Sequence, residues 1–189
     1  MPRNNKYRPI FYIAHTFSER HFIRDEFIPK LHKLGIRTLN PFYESDGSWK
    51  DSRPEVKLAD SCGESPEWAK IVKSRSADIV DTDLDLVRES DGIIAFMPEG
   101  STGTTCEIWT CGGVFKWLEK IGYPIEEFLN KPVFLITNAS RLLMHPWLRY
   151  ATVRIFRTDI AFLKNLRERL PRLRQQLKER RETLTRNEK

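Results

Sequence analysis

Hydrophobic residues along this chain fall into short continuous runs that alternate with stripes at helical spacing. The run Pro9 to Ala14 reads as a buried strand. Ser18 to Leu34 follows as a helix, with Ile23, Phe27, Leu31 and Leu34 on one stripe and Gly35 as its stop. Pro29 inside it predicts a kink. Ile36 to Leu39 is a second short strand ending at Asn40-Pro41, and residues 42 to about 64 read as a long loop that carries Phe42, Tyr43 and Trp49. Helices from about Pro66 to Lys73 and from Ala77 to Ser90 precede the strand Gly92 to Phe96. A helix from Thr104 to Lys120 and two last strands, Pro132 to Ile136 and Val153 to Phe156, complete the series. Such alternation predicts an α/β fold, an open, mostly parallel five-stranded sheet flanked by helices, of the Rossmann- or flavodoxin-like kind.

The last segment differs in character. Leu163, Leu166, Leu170, Leu173 and Leu177 recur at alternating spacings of three and four, a heptad-like stripe on a long helix that Pro171 should bend or divide. From Arg157 to Lys189 there are eleven Lys and Arg against five Asp and Glu, a net of +6, which equals the formal charge of the whole chain. The basic character therefore belongs to this segment, and residues 1–156 are balanced. Two units follow: an α/β domain over residues 1–156 and a basic helical extension over 157–189. The extension packs along its own subunit or forms an oligomer contact. Its stripe has no interleaved aromatics, so a nucleic-acid partner is not expected.

At 189 residues with 40% hydrophobic residues, the chain can bury a core without covalent staples. Three cysteines without paired spacing predict reduced thiols, and the four histidines form no ligand cluster, so no metal is expected. A polar N-terminus and the lack of a long apolar run predict a cytosolic protein with no membrane association.

The candidate chemistry lies between Asp83 and Glu107. On the helix Ala77 to Ser90, Asp81 and Asp85 have charged neighbours three and four residues away, whereas Asp83 is bracketed by Ile79, Val80, Leu86 and Val87. A carboxylate there faces the core or a pocket, where desolvation raises its pKa toward the range useful for proton transfer. The competing reading is a buried Asp that satisfies loop amides. Pro98 to Thr104 follows a strand's C-terminal end, where ligands collect in open α/β sheets, and supplies hydroxyls near a helix start. It lacks the Lys of a P-loop and the glycine pattern of a dinucleotide fingerprint. Glu107, inside the first two turns of the next helix, is alone no more than a favourable helix-dipole charge. Paired with Asp83 it suits glycosidic-bond chemistry, with one carboxylate as nucleophile and the other as proton donor or acceptor. The loop aromatics either stack on a nucleobase or pin the loop to the core.

Three places in order carry a family resemblance: Ile10-Phe11-Tyr12-Ile13-Ala14 followed by Phe17; Asp83, eight residues before Asp91; and Gly103-Thr104-Thr105-Cys106-Glu107. With Lys131-Pro132-Val133 behind them, they span roughly residues 9 to 136, and over that span the chain resembles the nucleoside 2-deoxyribosyltransferase family. The resemblance implies Glu107 as nucleophile at C1′ of a 2′-deoxynucleoside and Asp83 as the group that protonates the leaving base. It implies substrate contacts from Phe11, Tyr12, Thr16, Phe17, Phe42, Ser101, Thr102, Gly103 and Thr104. It implies no cofactor, small-molecule partners (nucleosides, nucleotides and nucleobases) and a homo-oligomer. The family usually carries an Asp six residues before the nucleophile; here that position is Ser101, more similar to the branch that hydrolyses deoxynucleoside 5′-monophosphates. Thr16 also falls where that branch tends to place a hydroxyl, but its accompanying Arg is not matched, since Ser18 stands there. Transfer of deoxyribose to another base is the leading expectation, and hydrolysis of monophosphates and a non-catalytic nucleotide-sensing domain are the alternatives.

Overall fold

The structure is a computed structural model and describes residues 7–63, 65–122 and 131–187. The outer ends of the two expected units, residues 1–6 and 188–189, lie outside the described residues.

Five strands form one parallel sheet in the order β2-β1-β3-β4-β5, with β1 at Ile10–His15, β2 at Arg37–Leu39, β3 at Gly92–Phe96, β4 at Val133–Ile136 and β5 at Arg154–Phe156. The expected sheet is therefore present, and four of its strands are trimmed by a residue or so or shifted at an end. Because successive side chains point to opposite faces, each strand feeds two cores. Phe11, Ile13, Ile94 and Ile136 enter one, and Tyr12, Ala14, Ile93, Ala95, Val133 and Leu135 enter the other. β1 and β3 approach closely at Gly92, where a Cβ would lie 2.7 Å from the Phe11 ring and 2.8 Å from the Pro132 carbonyl oxygen.

The first helical run, α1, covers residues 17–33 and includes a π-helical turn at Ile23–Phe27. The wide turn stands just before Pro29 and takes the place of the expected kink, because it opens the hydrogen-bond ladder where the proline has no N–H to give. Residues 42–64 are not one long loop. Tyr43 bridges to Trp49, their rings 4.4 Å apart, and a helix α2 runs over Pro54–Cys62. Helices α3 (Pro66–Ser74) and α4 (Ser76–Glu89) follow as the pattern predicts. Lys131, 6% exposed, donates to the carbonyls of Val87 at 2.7 Å, Arg88 at 2.6 Å and Ser90, and so caps the C-terminal end of α4.

The helical run after β3, α5, covers residues 102–120 and begins two residues earlier than its apolar stripe suggests. Ser101 caps it by accepting from the Thr104 N–H at 3.4 Å, and a π-helical turn occupies Trp109–Gly113. At Gly112 a Cβ would lie 1.8 Å from the Ala151 carbonyl oxygen, so only glycine lets the backbones of α5 and a short helix α7 (Pro146–Ala151) touch. Another short helix, α6 (Ser140–Leu143), precedes α7; neither is visible in the apolar pattern.

The final helix, α8, runs unbroken over Asp159–Asn187 with Pro171 inside it, so the expected division does not occur. Pro171 is on the exposed side, where water can serve the carbonyl that loses its partner. The leucine stripe faces inward: Phe162, Leu166, Leu170 and Leu177 are buried against the sheet face that carries Phe11 and Ile13, with Leu163 and Leu173 partly buried beside them. Arg174 donates to the Leu34 carbonyl at 2.7 Å and Arg181 pairs with Asp91 at 2.8 Å, fastening the helix to the body at two levels. Among the described residues no helix is long and apolar enough to cross a membrane.

Candidate active site

Tyr12 lies at the middle of β1, on the face covered by α4 and α5, and its phenol donates to Glu107 Oε1 at 2.7 Å. Two elements separated by 95 residues are thus joined through one side-chain hydrogen bond. Burial pushes the Glu107 carboxyl up to about 8; the Tyr12 bond and the Arg53 guanidinium pull it down, and the nearby Asp83 charge pushes it further up. Tyr12 is fully buried, and burial, together with the carboxylates of Glu107 and Asp83, raises its phenol well above the usual value, so it stays a donor. Cys111, one turn beyond Glu107, is pushed up to about 12 by burial and remains a thiol.

Asp83 is on the inner side of α4, with 18% of its side chain exposed, whereas Asp81 and Asp85 are exposed. Asp83 thus takes the inward face that the helical spacing predicts for it. Arg53, just before α2, donates through Nη1 to Asp83 Oδ1 at 2.6 Å and through Nε to Glu55 Oε1. Burial raises Asp83, and the Arg53 guanidinium opposes that rise. The charges of Asp83 and Glu107 act on each other, so the two carboxylates share one site with Tyr12 and Arg53.

The aromatic residues form a wall rather than an open shelf. Phe42, 8% exposed, meets His15 edge-on at 4.8 Å and Phe17 at 5.9 Å, and the Arg53 guanidinium lies 5.4 Å from its ring centre. Asn40 Oδ1 accepts from the Phe42 and Tyr43 N–H groups at 2.8 and 3.2 Å, which turns its Nδ2 toward His15 Nε2 at 3.2 Å. His15 Nδ1 then donates to the Thr16 carbonyl at 2.9 Å. Both ring nitrogens are satisfied by a neutral imidazole, and burial lowers the His15 pKa to about 4.

The remaining expected residues divide. Ser101 is half-buried at the start of α5, Thr102 and Gly103 are exposed, and Thr104 is buried. Thr16, half-buried, shares a 2.9 Å hydrogen bond with Ser18 beside Phe17. Phe11 is a correction: fully buried, it packs with Phe134 at 6.2 Å in the core under α8, across the sheet from Tyr12 and Glu107. Strand alternation decides this, since neighbours in sequence cannot both face the carboxylates.

Two further residues reach the site without a signal in the motif, and a third lies beside the turn before α5. Arg53 and Glu55 stand in the segment that reads as loop, although Arg-Pro-Glu is a legible helix start with proline in the first turn. Arg141 of α6 lies beside the turn before α5, its Nη2 3.9 Å from where a Gly100 Cβ would be. β3 and β4 are adjacent and parallel, so the segments leaving their C-terminal ends meet there. A groove of about 800 Å³ along β2, lined by Arg8, Arg24, Arg37, Tyr43 and Lys50 among others, includes neither Asp83 nor Glu107.

No family model matches the sequence, and no curated protein matches it. Among solved structures the chain is similar to a 2-deoxyribosyltransferase from the psychrotolerant bacterium Bacillus psychrosaccharolyticus, described as a biocatalyst for the synthesis of antiviral and antitumoral nucleosides. The two share 17% sequence identity, the match covers 82% of this chain and 90% of that chain, and the TM-score is 0.47.

Proposed function

We propose that the protein cleaves the N-glycosidic bond of 2′-deoxynucleosides and passes the deoxyribose to another nucleobase. The observation that carries this reading is the Tyr12–Glu107 hydrogen bond in a buried site shared with Asp83. Tyr12 holds Oε1, and Oε2 of Glu107 attacks C1′ as the bond to the base breaks. Asp83 delivers a proton to the departing base. The resulting glycosyl ester is opened when a second base, or water, attacks C1′; its proton returns to Asp83 and Glu107 leaves as a carboxylate. Every step is proton transfer or nucleophilic displacement, so the reaction draws on no cofactor. Incubation with a deoxynucleoside, its 5′-monophosphate and a free acceptor base, followed by chromatography of the products, tests it. Intact substrates in every mixture would refute the proposal and leave a non-catalytic nucleotide-sensing domain.

Attack requires an ionised Glu107, whose pKa lies near 8. Cleavage also needs the proton on Asp83, so kcat/KM should trace a bell that falls about tenfold per pH unit on either side, with one limb set by Glu107. Tyr12→Phe removes a bond that lowers the Glu107 pKa, and the limb set by Glu107 should move up by about one pH unit. A limb that stays in place for Tyr12→Phe assigns it to another group.

Hydrolysis of deoxynucleoside 5′-monophosphates is the second reading, favoured by Ser101 and by Arg141 beside Gly100. A hydroxyl and a guanidinium suit a phosphate, whereas a carboxylate would repel it. Ser101→Asp should shift preference toward unphosphorylated deoxynucleosides by about 10- to 100-fold. Competition between a deoxynucleoside and its monophosphate measures the shift, and indifference of both proteins to the phosphate would place Ser101 away from the 5′ end. The proposal also includes assembly of several copies, for which exposed Trp117, Trp147 and Met144 offer apolar surface. It retains the division into an α/β domain and a basic C-terminal helical unit.

A further inference from the structure

We infer that Arg53 is the positioning residue of the carboxylate pair: it orients Asp83 by engaging Oδ1 and ties that group to the aromatic wall around Phe42. The inference rests on the reading of Asp83 and Glu107 as the reacting groups.

Arginine is seldom buried without partners, and Arg53 is only 5% exposed. Its guanidinium is satisfied on two edges, by Asp83 at 2.6 Å and by Glu55, and lies near the Phe42 ring. Its backbone is held as well: its N–H donates to the Lys50 carbonyl at 3.0 Å and its carbonyl accepts from the Val56 N–H at 3.2 Å. Pro54 keeps Arg53 out of the helical region, at φ −121° and ψ 58°. A cation fixed at both backbone and side chain is a rigid reference for a carboxylate on a different helix.

The charges around Asp83 explain why the site needs it. Arg53 and Lys50 face Asp83 with positive charge and Glu55 with negative charge, while Glu107 and the neutral Tyr12 phenol lie on the strand side. Burial pushes the carboxyls of Asp83 and Glu107 upward, toward their protonated forms. Glu55 is 5% exposed on its side chain, and among the described residues its Oε2 has no hydrogen-bond partner. The guanidinium offsets this arrangement and engages Oδ1 of Asp83, so proton exchange with the base runs through Oδ2. When the proton moves from Oδ2 to the base nitrogen as the C1′–N bond breaks, the carboxylate left behind is the form that Arg53 stabilises. A lysine could supply the charge but not a planar fork that reaches both carboxylates.

The test is a carboxyl-carbon NMR titration of Asp83 in the full chain, for the wild type, Arg53→Met, Arg53→Lys and Glu55→Gln, beside pH profiles of 2′-deoxyadenosine cleavage. Arg53→Met should raise the Asp83 midpoint by about one to three pH units, the range for losing an adjacent opposite charge. Its kcat should fall by about 10- to 100-fold, with the pH profile displaced in the same direction. Arg53→Lys should recover part of the midpoint but little of the kcat. Glu55→Gln, which keeps an acceptor for Arg53 and removes a competing charge, should lower the midpoint, and it decides the matter if Arg53→Met does not fold. A purely structural Arg53 would lower the melting temperature and leave the midpoint in place; that result, or an unmoved midpoint in Glu55→Gln, overturns the inference. A wild type that cleaves no deoxynucleoside overturns the proposed function instead, and the titration still decides the role of Arg53.

Discussion

Replacing Glu107 with Gln or Ala is expected to abolish glycosidic cleavage and leave the fold intact. The side chain is the one carboxylate that Tyr12 holds by a hydrogen bond, and it sits two turns into α5, where neighbouring residues already pack the helix against the sheet. Gln preserves the acceptor for Tyr12 but has no nucleophilic charge, so its turnover should fall to background. Stability should move the other way. A carboxyl raised to about 8 in the folded protein binds its proton more tightly there than in the unfolded chain. Its contribution is fully present below the unfolded value and is lost as the pH rises through 8. Glu107→Gln should therefore melt above the wild type in alkaline buffer, by a few degrees, and converge with it in acid. Wild-type-like turnover, or a sugar adduct trapped on another residue, would remove the covalent mechanism.

Asp83→Asn should reduce turnover by about 10²–10⁴-fold with little change in melting temperature, the size associated with losing a general acid or base. Asn keeps an oxygen for the Arg53 bond and removes the titrating group. Asp81→Asn and Asp85→Asn are the matched controls, since both lie on the same helix and both are exposed. Equal damage from all three would show that α4, rather than the Asp83 carboxyl, is what matters. Unfolding of Asp83→Asn would instead assign Asp83 to holding α2 and α4 together through Arg53.

The parts of the molecule legible in its sequence are those decided by local periodicity. The continuous runs on β1, β3 and β4 and the stripe on α4 come from burial on fixed faces, and the face of Asp83 follows from the same geometry. What was not legible depends on partners distant in sequence. The Tyr12–Glu107 bond spans β1 and α5, and only the alternation of β1 separates Tyr12 from Phe11. Pattern alone treats those two residues as equivalent. α2 was hidden because its helix carries little amphipathic signal amid the Gly and Asp of its surroundings, although Pro54 and Glu55 mark its start. Pro171 misleads in the opposite sense, since a proline on the wet side of a helix docked by Phe162, Leu166, Leu170 and Leu177 forfeits one bond against a long buried stripe.

The docking of α8 also sets an order of events during synthesis. Phe11 and Ile13 leave the ribosome well before residues 159–187, which form the helix that covers their face. For most of that interval one side of the nascent sheet is apolar and, among the described residues, is covered mainly by α1. The Tyr12 side acquires α4, α5 and α7 in sequence as each emerges. The half that carries Tyr12 and Glu107 can thus assemble first, while the opposite half waits as an exposed, aggregation-prone surface. A chaperone that recognises this nascent chain should release it late, once Leu166 to Leu177 have cleared the exit tunnel.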